Sequence, residues 1–164
     1  MIFKKIKKNK GFVLLFAVTL AAIFLSIALG VGEIALKENN FSTSAVDTNN
    51  AFFAADTGTE CALYYDDPNG NGTGTIFTDP STPQMTCDGA TFNATEPSPS
   101  VWNFSITGLG SNSHSCVVVK IDKNSADIPA NATAVVTADG YNLTGTTCAT
   151  PPQNAVDRQL VTTY

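Results

Sequence analysis

The chain has 164 residues, a formal net charge of −5 and hydrophobic residues at 43% of its positions, which is the size of one ordinary domain with an extension. Five of its nine basic residues lie within the first ten positions, so from residue 12 onward four basic residues face fourteen acidic ones and the net charge is about −10. Because binding to a nucleic-acid backbone needs clustered lysine and arginine, this acidic remainder disfavours nucleic-acid binding, and we expect no nucleic acid among the partners.

The first eleven residues form a basic leader. Its positive charges are Lys4, Lys5, Lys7, Lys8 and Lys10. Residues 12–32 follow the leader and contain no charged side chain, and about 20 helical residues span the hydrocarbon core of a bilayer. Lysines immediately before such a segment favour a cytoplasmic N-terminus, so everything after Glu33 is expected to lie outside. The sequence therefore predicts a single-pass segment in the inner, or cytoplasmic, membrane.

Two other interpretations of this N-terminus are a plain single-pass anchor that keeps its lysines and a secretory signal that is removed. A removable signal fits less well, because its apolar region usually has about 7–15 residues followed by small residues at a cleavage site. Here the apolar run is longer, and it continues into VGEIALKENN without such an exit.

The helical pattern extends beyond the apolar run. No proline occurs between Met1 and Asp67, and apolar residues recur near helical spacing as far as Leu63. Although residues 43–50, TSAVDTNN, have poor helix propensity, the apolar stripe resumes in FFAADTGTECALYY. We predict one helix over residues 12–65, about 80 Å long at 1.5 Å per residue, of which only the second half can pack on a small domain.

Residues 66–164 are predicted to form a β-rich head. DDPNGNGTGT, at residues 66–75, is typical of a helix stop and a flexible loop. Alternating or β-branched runs then predict strands, and turn-forming sequences such as GLGSNS and ADGYN separate them. The predicted strands cover residues 101–107, 115–122, 133–138 and 158–164. This order predicts an α+β fold in which the long N-terminal helix packs on a small antiparallel sheet.

Four cysteines lie in the part of the chain that is expected to be exported. They are Cys61, Cys87, Cys116 and Cys148. In an exported domain of this size they indicate two disulfides, for which three pairings are possible. We favour Cys61 with Cys87 and Cys116 with Cys148, because each bond then closes a local loop in one half of the domain. None of the four is in a CxxC pair, which disfavours a zinc site, and we predict no metal and no cofactor.

The loop after the predicted helix resembles the first half of a calcium-binding loop. Asp67, Asn69, Asn71 and Gly72 match that half, but the twelfth position carries Thr78 where the loop needs a bidentate glutamate. We therefore predict a flexible polar loop at these residues rather than a calcium site.

Nothing in the sequence assembles a catalytic constellation, and we predict that the protein is not an enzyme. His114 is the only histidine and has only serines beside it, so a solvated turn residue is expected. Trp102, on an alternating strand, is predicted to pack in the core, and Arg158 to pair with a nearby acid such as Asp157. Several N-x-[ST] triplets occur, such as those that begin at Asn93, Asn131 and Asn142, and they could accept glycans only where the host has the machinery.

The N-terminal sequence KKNKGFVLLF, with the uncharged run behind it, resembles the type IV pilin-like family, whose members carry class III signal peptides. The long helix, the antiparallel strands and the cysteines of the C-terminal half agree with that family's layout. The resemblance implies cleavage by a prepilin peptidase between Gly11 and Phe12 and N-methylation of Phe12. It also implies partners, namely other pilin subunits, an inner-membrane assembly platform and membrane lipid before assembly. The final location would be an extracellular filament at the cell surface.

One position departs from the family pattern. Major pilins usually carry a glutamate four residues after the new N-terminus, and that position is Phe16 in this chain; Glu33, the first acid, is too far along to replace it. The stretch NNAFFAADTGTECALYY also resembles the corresponding region of PilX-type minor pilins. The resemblance thus favours a minor pilin, or a tip and initiation subunit, rather than the main building block of a filament. The alternatives are a type II secretion pseudopilin and a membrane-anchored surface adhesin module.

Overall fold

The computed structural model describes residues 10–67, 74–78, 80–110, 113–124, 126, 128, 132–143, 148, 150–153 and 155–164. The protein chain divides into two compact units, Met1–Ser44 and Ala45–Tyr164. One helix, α1 (Lys10–Asp66), belongs to both units and is continuous for 57 residues. The predicted helix over residues 12–65 is therefore present, and residues 43–50 are helical in spite of their poor intrinsic propensity.

The second unit contains seven strands in two antiparallel sheets. The strands are β1 (Gln84–Cys87), β2 (Ala90–Asn93), β3 (Thr95–Ser98), β4 (Val101–Leu109), β5 (Ser115–Asp122), β6 (Val135–Tyr141) and β7 (Asp157–Thr163). Strands β1 and β2 form a hairpin, and the other five form a sheet in the order β3-β4-β5-β6-β7. Since neighbouring strands follow each other in the chain, this larger sheet is a simple meander. The predicted α+β arrangement, a long N-terminal helix packed on an antiparallel sheet, is confirmed.

The four predicted strands are present as β4, β5, β6 and β7, but the sequence prediction was wrong in two respects. The sequence ADGYN was predicted to be a turn, but Ala138, Asp139, Gly140 and Tyr141 continue strand β6. The three short strands β1, β2 and β3 were not predicted, because their sequences are rich in Thr, Asn and Pro and give no long alternating run. Both errors have one cause, which is that pairing with a neighbouring strand outweighed the local preference of the residues.

Small residues on α1 allow the helix to lie close to the five-stranded sheet. Ala51, Ala54, Ala55 and Ala62 are buried on the packed side of the helix. A Cβ added to Gly58 would stand 2.7 Å from methyl groups of Val117 and Val119, so only glycine fits there. These four alanines and Gly58, which we call the alanine and glycine seam, therefore allow the helix to approach the sheet closely.

The core of the second unit lies between that seam and the inner face of the sheet. Alternate residues of the central strands point into it, as the period of two along a strand requires. Its fully buried side chains include Trp102, Met85, Ile106, Ile121, Val117, Val119 and Val136. The predicted core role of Trp102 is confirmed, since its side chain is 2% exposed and its ring lies 5.8 Å from that of Phe77.

Candidate functional site

The apolar segment of α1 exposes its large side chains in every direction. Phe12, Leu14, Leu15 and Phe16 are between 55% and 73% exposed, although they are near neighbours in the chain. Successive helix residues are separated by 100°, so four or five of them sample the whole circumference. Within the described part of the chain, large apolar side chains are therefore exposed on every side of the segment, unlike those of the amphipathic helix of a soluble domain.

Among the described residues, one helix is long and apolar enough to cross a membrane, and it starts at Phe12. Its few polar side chains are satisfied within the helix. Thr19 donates a hydrogen bond to the carbonyl oxygen of Phe16 at 2.9 Å, and Ser26 donates one to that of Ile23 at 2.8 Å. Because unsatisfied polar groups are costly in hydrocarbon, this arrangement leaves the segment's surface effectively apolar.

The predicted processing junction lies at the beginning of the described helix. The backbone of Lys10 and Gly11 is already helical, and Phe12 is 73% exposed. The other leader lysines, at residues 4, 5, 7 and 8, lie outside the described residues. Phe16, the position at which major pilins were expected to carry a glutamate, is 55% exposed on the same apolar surface.

Two disulfides tie the second unit together. Cys61 of α1 is bonded to Cys87 of β1, and Cys116 of β5 is bonded to Cys148. This is the pairing that the loop argument favoured among the three possible ones. The first bond holds the small hairpin to the helix, and the second covers the outer face of β5, where Cys116 is fully buried.

The end of α1 is held by a group of polar side chains that we call the Asp66 cluster, consisting of Asp66, Thr75, Lys123 and Tyr164. Lys123 Nζ forms an ion pair with Asp66 Oδ1, and the Thr75 hydroxyl donates to the same oxygen. The Tyr164 hydroxyl donates to Asp66 Oδ2. The Asp66 side chain is 4% exposed, so its carboxylate depends on these three donors instead of water.

The Asp66 cluster borders a cleft of about 570 Å³ that also contacts Leu63 and Tyr64 of the helix. Burial raises the pKa of Tyr164 strongly, and the hydrogen bond to Asp66 and the negative charges of Asp66 and Asp67 raise it further. The phenol therefore stays protonated and remains a donor throughout the physiological range. Local sequence patterns could not have found this cluster, because its members lie 9 to 98 residues apart.

A second polar contact group fixes the other end of the packed helix. Asn142 donates to Asp47 at 2.6 Å, and Arg158 reaches Thr48 at 3.4 Å. Arg158 also donates to the backbone carbonyl oxygen of Asp157 at 2.8 Å. Its predicted pairing with the Asp157 carboxylate is thus replaced by contacts with neutral oxygen atoms.

The remaining sequence candidates are not brought together into a site. His114 is exposed beside Ser115, and Asn93 is exposed at the end of β2. The glycan triplets that start at Asn131 and Asn142 include residues 131 and 144, which lie outside the described residues, as do Asn69, Asn71 and Gly72 of the calcium-like loop. Within the described part of the chain, no group of three or more His, Cys, Asp or Glu side chains could hold a metal ion.

Comparison with known proteins adds no assignment: no protein-family model, no curated protein and no solved structure matches this chain.

Proposed function

We propose that this protein is a minor subunit of a type IV pilus or of a related pilin-like filament. In this proposal a prepilin peptidase removes residues 1–11, the helix from Phe12 onward first holds the subunit in the cytoplasmic membrane, and the same helix then packs with other subunits. The disulfide-bonded second unit stays outside the membrane and forms the outer part of the filament.

The observation that carries the proposal is the exposure of large apolar side chains around the whole circumference of the helix over residues 12–32. Such a surface needs lipid or other apolar helices around it. A plain anchor would need only the lipid. The proposal is more specific because the lysine cluster ends at a Gly-Phe junction immediately before the apolar run.

Cleavage at this junction has a clear physical consequence. It removes five lysine charges that otherwise hold the N-terminus at the cytoplasmic surface, because moving one lysine to the centre of a membrane helix costs about 2.5–3.5 kcal/mol on the insertion scale. Once the charges are gone, the apolar helix can leave the bilayer and enter a bundle of similar helices. A permanent anchor would have no use for such a change, so the Gly-Phe junction is better explained by a filament role.

The absence of an acidic residue at position 16 supports a minor subunit rather than the main one. A carboxylate near the N-terminal amine of a neighbouring subunit would form a charge pair in a low-dielectric core. Phe16 offers no such partner. A subunit at the tip or start of a filament has fewer neighbours to align, so it tolerates the apolar residue.

The deciding experiment is to determine the N-terminal sequence and mass of the mature protein from the native cell envelope. We expect the sequence to begin at Phe12, with a mass higher by one methyl group than the unmodified chain from that residue. A matched pair of variants sharpens the result: Gly11→Leu should keep the leader, and Lys10→Arg should still be processed. An intact Met1 with all lysines retained would overturn the filament proposal and leave a membrane-anchored surface protein.

A further inference from the structure

The Asp66 cluster places a primary amine against a buried carboxyl group with aromatic rings beside it. The Lys123 side chain is 20% exposed and that of Asp66 only 4%. Lys123 Nζ lies 5.9 Å from the ring centres of both Phe77 and Trp102. A lysine at a protein surface keeps a hydrated ammonium group, but this one has aromatic and hydroxyl neighbours on several sides.

We propose that Lys123 and Asp66 condense to an amide, so that a covalent crosslink joins the end of α1 to the residue that follows β5. The bond forms between Lys123 Nζ and Asp66 Cγ, and one molecule of water leaves. No oxidant, cofactor or second enzyme is required. This inference does not depend on the filament role and goes beyond it, because it concerns the second unit alone.

The reaction starts from the ion pair. Transfer of one ammonium proton from Lys123 Nζ to Asp66 Oδ1, its ion-pair partner, gives an amine in contact with a carboxylic acid. The amine lone pair attacks Cγ, and the C–Oδ2 double bond opens to place negative charge on Oδ2. The attacking nitrogen then loses a proton to the Oδ1 hydroxyl, the bond between Cγ and Oδ1 breaks, and the C–Oδ2 double bond reforms.

The cluster supplies a donor at each oxygen where one is needed. Tyr164 donates to Oδ2, the atom that carries negative charge in the tetrahedral intermediate, and a fixed donor at that position is the usual way to stabilise such a charge. Thr75 donates to Oδ1, the atom that leaves as water. Holding amine and acid in contact replaces a bimolecular encounter, and such positioning corresponds to effective concentrations on the order of 10⁵ M or higher.

The product would keep the existing contacts without the charges. The amide oxygen would accept from Tyr164 as Oδ2 does now, and the amide N–H could donate to the Thr75 hydroxyl, which lies 2.9 Å from Lys123 Nζ. Two charges that cost desolvation energy would thereby be replaced by one neutral, fully paired group. This difference favours the amide over a permanent ion pair.

A peptide map of the full-length protein, extracted in detergent, tests the proposal directly. After reduction and alkylation of both disulfides, trypsin should cut after Lys37, Lys120 and Arg158 but not after an acylated Lys123. We expect residues 38–120 and 121–158 to appear as one branched species, lighter by one water molecule than the two peptides together. Release of residues 121–123 and 124–158 as separate, unlinked peptides would overturn the proposal and leave an ordinary ion pair.

Three variants distinguish the amide from other causes of linkage. Lys123→Arg keeps the positive charge but has no primary amine, so the branched species should disappear. Asp66→Asn should give a branched species of the same mass as the wild type, because ammonia leaves in place of water. Tyr164→Phe should lower the linked fraction in freshly made protein by tenfold or more, through loss of the donor at Oδ2. A branched species that persists in Lys123→Arg would contradict the assignment of the bond to Lys123.

Discussion

Gly140 in β6 lies directly against the backbone of Ala51 in α1, so that a Cβ on Gly140 would stand 2.1 Å from the Ala51 carbonyl oxygen and 2.5 Å from the Ala55 nitrogen. Neither of these atoms can move without displacing the helix. The contact explains why a glycine sits in the middle of a strand, where it is otherwise unfavourable. It also sets the distance between the helix and the sheet.

Gly140→Ala should therefore lower the free energy of unfolding of the second unit by about 2 kcal/mol or more, as overpacking against backbone does. The only tryptophan, Trp102, is buried in this unit, so its fluorescence during urea unfolding reports the change. Gly30→Ala is the matched control, because a Cβ there meets nothing within 4 Å. An unchanged midpoint for Gly140→Ala would contradict the close approach.

Removal of either disulfide, as Cys61→Ala with Cys87→Ala or Cys116→Ala with Cys148→Ala, should lower the free energy of unfolding by about 2–4 kcal/mol. The two bonds span 26 and 32 residues, and loop-closure entropy changes slowly with length, so the two losses should be similar. Urea unfolding of both double variants measures this directly. Equal stability of either double variant and the wild type would show that the bond in question is not formed.

Asp122 should make the second unit less stable in acid. Burial acts to raise the pKa of Asp122, but the hydrogen bond and charge of Lys120 and the N–H of Asn124 outweigh it, so the pKa is lowered from its ordinary value of 3.8. The unfolded chain therefore takes up the proton first, and stability is lost as the pH falls through 3.8 toward the folded pKa. Asp122→Asn should flatten this part of the stability profile below about pH 5. Asp88→Asn, which removes a carboxylate from an exposed turn, is the matched control, and an unchanged profile for Asp122→Asn would contradict the prediction.

Tyr164 should give the opposite pH dependence in alkali. Since burial raises its pKa above the ordinary value of 10.0, its contribution is complete below pH 10 and declines as the pH rises further, where only the unfolded chain ionises. Unfolding measured from pH 8 to 11 should show a smaller alkaline loss for Tyr164→Phe than for the wild type. Tyr64→Phe serves as the matched control, because it removes an exposed phenol that lines the same cleft. An equal alkaline loss in Tyr164→Phe and the wild type would contradict the prediction.

A charge within the apolar segment should weaken membrane insertion. Ala21→Arg places a guanidinium near the middle of residues 12–32 and should cost about 2.5–3.5 kcal/mol of insertion free energy. Ser42→Arg, which lies beyond the apolar run on the same helix, should have little effect. Carbonate extraction of membranes from cells that express each variant compares the retained fractions, and equal retention of both would argue against insertion of this segment.

Secondary-structure elements could be predicted from the sequence where a pattern of residues extends over the whole element. The uncharged run and the absence of proline predicted α1, the β-branched run at residues 115–122 predicted β5, and RQLVTTY predicted β7. Gly140 misled the prediction because Asp-Gly usually indicates a turn, whereas its role here depends on a helix that is distant in sequence. The Asp66 cluster was missed for the same reason, since Asp66, Lys123 and Tyr164 have ordinary neighbours in sequence and meet only after the sheet has formed.

The alanine and glycine seam of α1 also determines at which residue a fragment that contains the second unit can begin. A fragment that started at Asp66 would lack Ala51, Ala55 and Gly58, so the inner surface formed by Val117 and Val119 would face water and promote aggregation. A fragment that starts at Ala45 keeps the seam, the bond from Cys61 and the contact from Asp47. The smallest portion of this chain that can be prepared without detergent therefore begins within the helix, about six turns before the helix ends.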